Sequence, residues 1–197
     1  MSDMNNASVD AQASLDSLDA IWQLLEHIPD PEIPVVSIRE LGILRDVRRN
    51  AQGDIEVVIT PTYSGCPAIG QMEDDIRAAL QSADIKAHIV TQLAPAWTTD
   101  WMTASAHEKL RSYGIAPPQH LSTAVNIAQS IIRFAPKTEA LKIYKSRARG
   151  LFDVKNVPCP RCASTNTTET SHFASTACKA LYKCLDCLEP FDYFKPY

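Results

Sequence analysis

Residues 157–195 read VPCPRCASTNTTETSHFASTACKALYKCLDCLEPFDYFK, and this stretch decides the architecture of the C-terminal end. Two Cys-x-x-Cys pairs, Cys159 with Cys162 and Cys184 with Cys187, enclose 21 residues. A C-x-x-C turn puts two sulfurs on one side of a tight loop. Two such knuckles facing one another make a tetrahedron of thiolates, the arrangement that suits Zn2+. Four thiolates also suit an iron–sulfur cluster. Regular knuckles on hairpins favour zinc as a structural ion, with the cluster kept as the alternative. TNTTETSHF, ALYKC and EPFDYF read as strands, so the layout is that of a zinc ribbon. About 40 residues bury too little apolar surface to fold alone, so the metal supplies much of the folding free energy. Cys178 is left as a fifth cysteine near this site, with its role open. His172 falls in the same stretch, although a lone histidine is more often a polar surface residue.

Upstream, Leu18, Ile21, Trp22, Leu25 and Ile28 recur with helical spacing and trace one helix face, which Pro29 and Pro31 end. DPEIPVVSIRELGI, residues 30–43, follows as a proline-stiffened connection. Residues 43–49 and 55–60 read as a β-hairpin around the turn NAQGD. The loop PTYSG delivers the chain to Cys66 and Pro67 at an expected helix start. Ile69, Met72, Ile76 and Leu80 then form a second helical stripe. Residues 85–93 alternate as a third strand, which joins the sheet in parallel through the helix. A further short helix is expected at about 101–113. The expected fold class is α+β, a small α/β sandwich followed by the four-cysteine domain. The expected divisions are a disordered leader at 1–14, an α+β domain at 15–118, a partly helical linker at 119–156 and the ribbon at 157–197.

Cys66, between Gly65 and Pro67, admits two readings. Backbone N–H groups and the helix dipole at a helix start stabilise a thiolate. A lowered pKa would make Cys66 a nucleophile or a transient metal ligand. The plainer reading is a small buried residue. Asp30 and Glu32 could likewise form a carboxylate pair or simply bond a turn.

The 197 residues carry a formal net charge of -4, so no global basic field points to nucleic acid. No apolar run approaches the roughly 20 residues needed to span a bilayer. The start, MSDMNNASVDAQAS, lacks the basic and apolar parts of a signal peptide. The expected compartment is the cytoplasm, where thiols stay reduced, which argues against a disulfide framework for the six cysteines. Between Arg133 and Lys155 stand seven Lys or Arg and two acids, Glu139 and Asp153. This is either a solvated linker or a docking surface for an acidic partner. No glycine-rich phosphate loop, nucleophile elbow or His-Glu-x-x-His pair occurs.

DPEIPVVSIRELGIL (30–44) followed by ITPTYSGCPA (59–68) resembles the domain of the SufT-type iron–sulfur assembly factors. LAPAWTTDWMTASAHEKLRSYGIAPP (93–118) and the cysteine-rich tail resemble the PaaD (PaaJ) family associated with phenylacetyl-CoA epoxidase. The connector at 119–157 is longer than that family leads one to expect. The tail ends Lys195-Pro196-Tyr197, where relatives often carry a cysteine.

The resemblance implies an accessory maturation factor of aerobic phenylacetate degradation that assists assembly of iron or iron–sulfur centres. Asp30, Glu32 and Cys66 would serve transient metal or cluster transfer, and no residue would be catalytic. Cys159, Cys162, Cys184 and Cys187 would hold the resident metal. Partners would be the other epoxidase subunits, above all the reductase or the di-iron subunit, and a homodimer is compatible. Nucleic acid and membrane are not expected. The alternative is an Fe–S electron-transfer or structural subunit of the oxygenase.

Overall fold

The computed structural model describes residues 17–119 and 157–197. The expected leader at 1–14, a short helix near Asn126–Phe134, the basic stretch 133–155 and nearly all of the linker 119–156 lie outside the described residues.

The first helix, α1 (Leu18–Leu25), is capped by Ser17, whose hydroxyl oxygen accepts a hydrogen bond from the Ala20 N–H. It ends earlier than the prolines require. The Glu26 N–H bonds back to Trp22, and the chain turns at Ile28. Ile21 and Leu25 are fully buried, each contributing about 1.5–3 kcal/mol of apolar transfer. Ile33, Val36, Ile38 and Leu41 of the proline-rich connection turn into the same core.

Strands β1 (Leu44–Arg49) and β2 (Ile55–Ile59) pair antiparallel as expected. The Asn50 side chain holds the turn by accepting from the Gln52 and Asp54 N–H groups at 3.0 and 2.9 Å. Helix α2 (Ile69–Ser82) buries Met72, Ile76 and Leu80 against the sheet. Strand β3 (Ala87–Thr91) then lies parallel to β2, giving the order β1-β2-β3. A 3-10 turn (Thr99–Trp101) precedes α3 (Ala104–Tyr113). Gly114 stops α3 at φ +96°, a left-handed conformation that glycine adopts without steric cost.

The second sheet has four strands. Its ribbon strands are β5 (Thr167–Ser171), β6 (Lys179–Cys184) and β7 (Pro190–Phe194), paired antiparallel in succession. The fourth strand, β4 (Ile115–Ala116), comes from the end of the first domain and lies parallel to β7. The ribbon segment is thus joined to the first domain through a shared sheet, which the sequence pattern does not announce. Phe194 and Cys178 are buried in the core cluster of the first domain. A smaller cluster, including Val157, Tyr182, Phe191 and Tyr193, fills the ribbon itself.

Candidate functional site

The four knuckle cysteines converge. Cys159, Cys162, Cys184 and Cys187 place their sulfurs all within 4.8 Å of one another. The Cys159–Cys187 and Cys162–Cys184 sulfurs are 3.8 and 3.6 Å apart. A tetrahedron with a Zn–S bond of about 2.3 Å has an S–S edge of about 3.8 Å. The donor set therefore fits a single ion. A cluster of two or more irons spreads its terminal thiolates beyond one such edge.

Local backbone geometry explains the convergence. The Ala163 N–H bonds to the Cys159 carbonyl, and the Cys159 N–H to the Ser164 carbonyl, closing the first knuckle. In the second, the Cys184 N–H bonds to the Glu189 carbonyl, and the Cys187 N–H reaches the Cys184 sulfur at 3.5 Å. The residue after each knuckle, Ala163 or Leu188, has a left-handed φ of 61° or 65°. Asp186 ties the loops together. It accepts from the Ser164 hydroxyl and, at 2.7 Å, from the Asn166 amide. Those hydrogen bonds hold its carboxyl below the usual range.

Crowding four thiols splits their acidities. The Cys187 and Asp186 backbone N–H groups favour the Cys184 thiolate, bringing it down to about 7. The Glu189 backbone N–H favours the Cys187 thiolate in the same way. Burial and the sulfurs of Cys184, Cys162 and Cys159 together outweigh that bond, and Cys187 is pushed up to about 12.

Cys178 and His172 do not join this group. His172 is exposed, beside Glu169 at 3.2 Å and stacked edge-on with Phe173. Cys178 faces away from the ribbon cluster into the first domain. Its electrostatic neighbours there include Glu32 and Cys66.

That second locus contains the residues singled out near the N-terminus. Helix α2 begins at Ile69, so Cys66 stands just ahead of its cap residue, Ala68. The Ala68 and Ile69 backbones hydrogen-bond its sulfur, as a helix-start thiol requires. Of the two readings of Cys66, the net direction of its pKa favours the plain one. Burial pushes the Cys66 thiol up, the Glu32 and Asp30 charges add to that, and the backbone bonds do not compensate.

Asp30 is buried, and one of its oxygens accepts from the Glu32 and Ile33 N–H groups at 2.9 and 2.7 Å. It thereby closes the turn that presents Glu32. Burial raises the Asp30 carboxyl against those bonds and against the charge of Lys179. Asp30, Glu32 and Cys66 thus lie within electrostatic reach of one another, and Glu32 and Cys66 also within that of Cys178, but among the described residues only the four ribbon cysteines converge closely enough to hold one ion. No residue pattern in the sequence marks the approach of Cys178, because two-residue β4 carries too little signal to reveal how the ribbon docks.

Together the two features define a class: an iron–sulfur-assembly-type α+β domain joined to a metal-binding β-ribbon. Residues 18–89 match the model of an iron–sulfur cluster assembly protein, and residues 145–195 that of the PaaD zinc beta ribbon domain. An Escherichia coli (strain K12) protein named as one subunit of a "Putative 1,2-phenylacetyl-CoA epoxidase" is 46% identical over 89% of this chain and 90% of its own length. The chain belongs to the PaaD family. It is also similar to two proteins named Fe-S protein maturation auxiliary factors. One, from Porphyromonas gingivalis, is 31% identical over 47% of this chain and 89% of its own length. The other, YitW of Bacillus subtilis, is 35% identical over 44% of this chain and 85% of its own length. Among the described residues no helix is long and apolar enough to cross a membrane.

Proposed function

We propose that this chain is an accessory maturation factor of a phenylacetyl-CoA epoxidase system, helping to load iron or an iron–sulfur centre into another subunit. The observation that carries this reading is the corner around Cys66. There a thiol contacted by backbone N–H groups at a helix start has carboxylates for neighbours. The corner sits on a domain whose relatives include proteins named for Fe–S maturation. Cys66 would hold the incoming metal transiently. Glu32 would be the hard ligand or proton acceptor beside it, and Asp30 the residue that fixes the turn. The name of the Escherichia coli relative supports an epoxidase as the client system. Its reductase or di-iron subunit would be the recipient.

The ribbon cysteines Cys159, Cys162, Cys184 and Cys187 would hold zinc as a resident structural ion, and their single-ion spacing supports this assignment over a cluster. Zinc has no redox chemistry and would supply only cross-linking. The ribbon would then serve to dock the recipient.

The test is epoxidase maturation in cells whose only copy of this protein carries Cys66→Ser. The expected result is an epoxidase with depleted iron and lost turnover, although the variant itself keeps its zinc and fold. Normal iron content and turnover would remove Cys66 from the pathway.

A further inference from the structure

The sheet β1-β2-β3 has a second face. Ile55, Val57 and Ile59 of β2 point into the core, whereas Val58 is buried without belonging to that core cluster. Val58 and Thr60, two residues apart, share the other side. There they line a cavity of about 240 Å3. The backbone explains what else meets in it. The register of β1 on β2 shifts between Leu44 and Asp46, so Arg45 stands at an irregularity opposite the Val58–Ile59 step. Such irregularities re-aim a side chain. The Thr60 N–H bonds to the Ile43 carbonyl and the Gln92 N–H to the Ile59 carbonyl, both at 2.8 Å, which brings Gln92 to the end of β2. The Gln92 amide donates to the Ala94 carbonyl at 2.6 Å and holds the turn into Pro95, another wall residue. Trp101 adds a wall from the 3-10 turn, its backbone resting on Gly42 where a Cβ would not fit.

Two polar groups in this cavity are left over. Thr60 is 2% exposed, yet its hydroxyl makes no hydrogen bond among the described residues. A buried hydroxyl ordinarily bonds to protein, water or a ligand. Arg45 is half-buried, with its guanidinium carbon 3.5 Å from the centroid of the Trp101 ring. No carboxylate pairs with it among the described residues. The acids on this face are engaged elsewhere, since Asp46 at 3.8 Å and Glu56 at 3.2 Å both meet Arg48. Stacking uses the flat face of a guanidinium and leaves the N–H groups at its edge for bonding. The cavity therefore offers one uncompensated positive charge, a forked donor and a hydroxyl beside the apolar Val58. A single cation matches a monoanion, and a planar fork matches a carboxylate. A phosphate dianion calls for more positive charge than Arg45 supplies.

We propose that this cavity is a carboxylate-binding site, with Arg45 as the bidentate donor and Thr60 as a second hydrogen-bond donor. Trp101 holds the guanidinium in place by stacking, so little side-chain freedom is lost on binding. The carboxylate belongs to a small free acid or to an acidic side chain of a partner subunit, and the chemistry is the same for both. Gln92, Pro95 and Trp101 lie outside residues 18–89, the part that matches the iron–sulfur cluster assembly model. The site thus goes beyond that domain, and it stands whether or not Cys66 receives metal.

The test is an NMR titration of the isotope-labelled full chain, loaded with zinc and held at constant ionic strength. Sodium acetate is the free-acid probe, and glutamate blocked at its α-amino and α-carboxyl groups is the side-chain probe. Saturable shifts of the Arg45 side-chain N–H and the Trp101 indole N–H are expected with a carboxylate, and sodium chloride should give none. Saturation by acetate alone identifies a small-acid site, and saturation by blocked glutamate identifies an acidic partner residue. Arg45→Gln should weaken binding about tenfold through loss of the charge-assisted fork. Thr60→Val, nearly unchanged in volume, should weaken it about threefold through loss of one neutral hydrogen bond. Shifts that never saturate, inorganic phosphate binding more tightly than either carboxylate, or full affinity in Thr60→Val and Arg45→Gln would each overturn the proposal. Arg45 also packs on Trp101, so if Arg45→Gln misfolds, the shifts on the unaltered chain and the Thr60→Val variant decide the outcome.

Discussion

At the residue scale, two positions beside the core show how little room the first domain leaves. Gly42 has φ +70°, and a Cβ there would lie 2.7 Å from both the Trp101 Cβ and the Trp101 carbonyl oxygen. Gly42→Ala therefore combines left-handed strain with a backbone clash and should cost about 2–4 kcal/mol, read as a lower urea midpoint. Glu40 binds α3 to the proline-rich connection. Its carboxylate meets Lys109 at 2.8 Å, the Ser105 hydroxyl and the Ser37 N–H. Burial works to raise its pKa, but these bonds outweigh it and the net shift is downward from 4.5. A depressed carboxylate stabilises the fold above its unfolded pKa, and that contribution disappears as pH falls through the lower folded value. Glu40→Gln should accordingly cost about 1 kcal/mol at neutral pH. The gap between the two proteins should close on acidification below pH ~4. A gap independent of pH would mean that packing, not charge, holds α3. None of this is legible in the sequence alone. It shows a glycine and a glutamate in a proline-rich run, but not the Trp101 and Lys109 that lie against them from more than fifty residues away.

At the scale of elements, legibility depends on periodicity. Helix α2 and the β1–β2 hairpin are plain because Met72, Ile76 and Leu80 repeat at helical spacing, and Asn50 to Asp54 carry turn chemistry. The knuckles are plain because cysteine spacing is itself geometry. The acidity of Cys66 stays open in the sequence because helix-start N–H groups are visible there and the extent of burial is not. The contribution of Asp186 is hidden for a similar reason. It falls inside the second C-x-x-C turn, yet its partners Ser164 and Asn166 follow the first. Since this bridge sets the distance between knuckles, Asp186→Ala should lower zinc affinity about tenfold, as loss of outer-shell support does elsewhere. Competition with a chromophoric chelator measures this directly. Unchanged affinity would show that the backbone turns alone position the sulfurs.

At the scale of the whole molecule, the ribbon is part of the first domain's stability as well as an attachment to it. Trp97 donates to the Leu41 carbonyl at 3.0 Å and packs its ring 6.0 Å from Phe194 and 6.2 Å from Tyr197. The Tyr197 carbonyl in turn accepts from the Thr98 hydroxyl at 3.0 Å. Strand β7, which supplies Phe194, starts three residues after Cys187 and holds β4 along its free edge. The second cysteine turn therefore leads directly into the strand that closes the first core. Removing the ion with a chelator should release β7 and with it the burial of Phe194, a loss of about 3–5 kcal/mol to the first domain. For a chain of this size that lowers its melting temperature by about 10 °C. The emission of Trp97, isolated by replacing Trp22 and Trp101 with phenylalanine, should shift to the red at the same chelator concentration. The Ile115 and Ala116 amides should lose exchange protection together with β7. If the first domain instead melts unchanged after complete zinc removal, with Trp97 still shielded, the shared sheet carries no coupling.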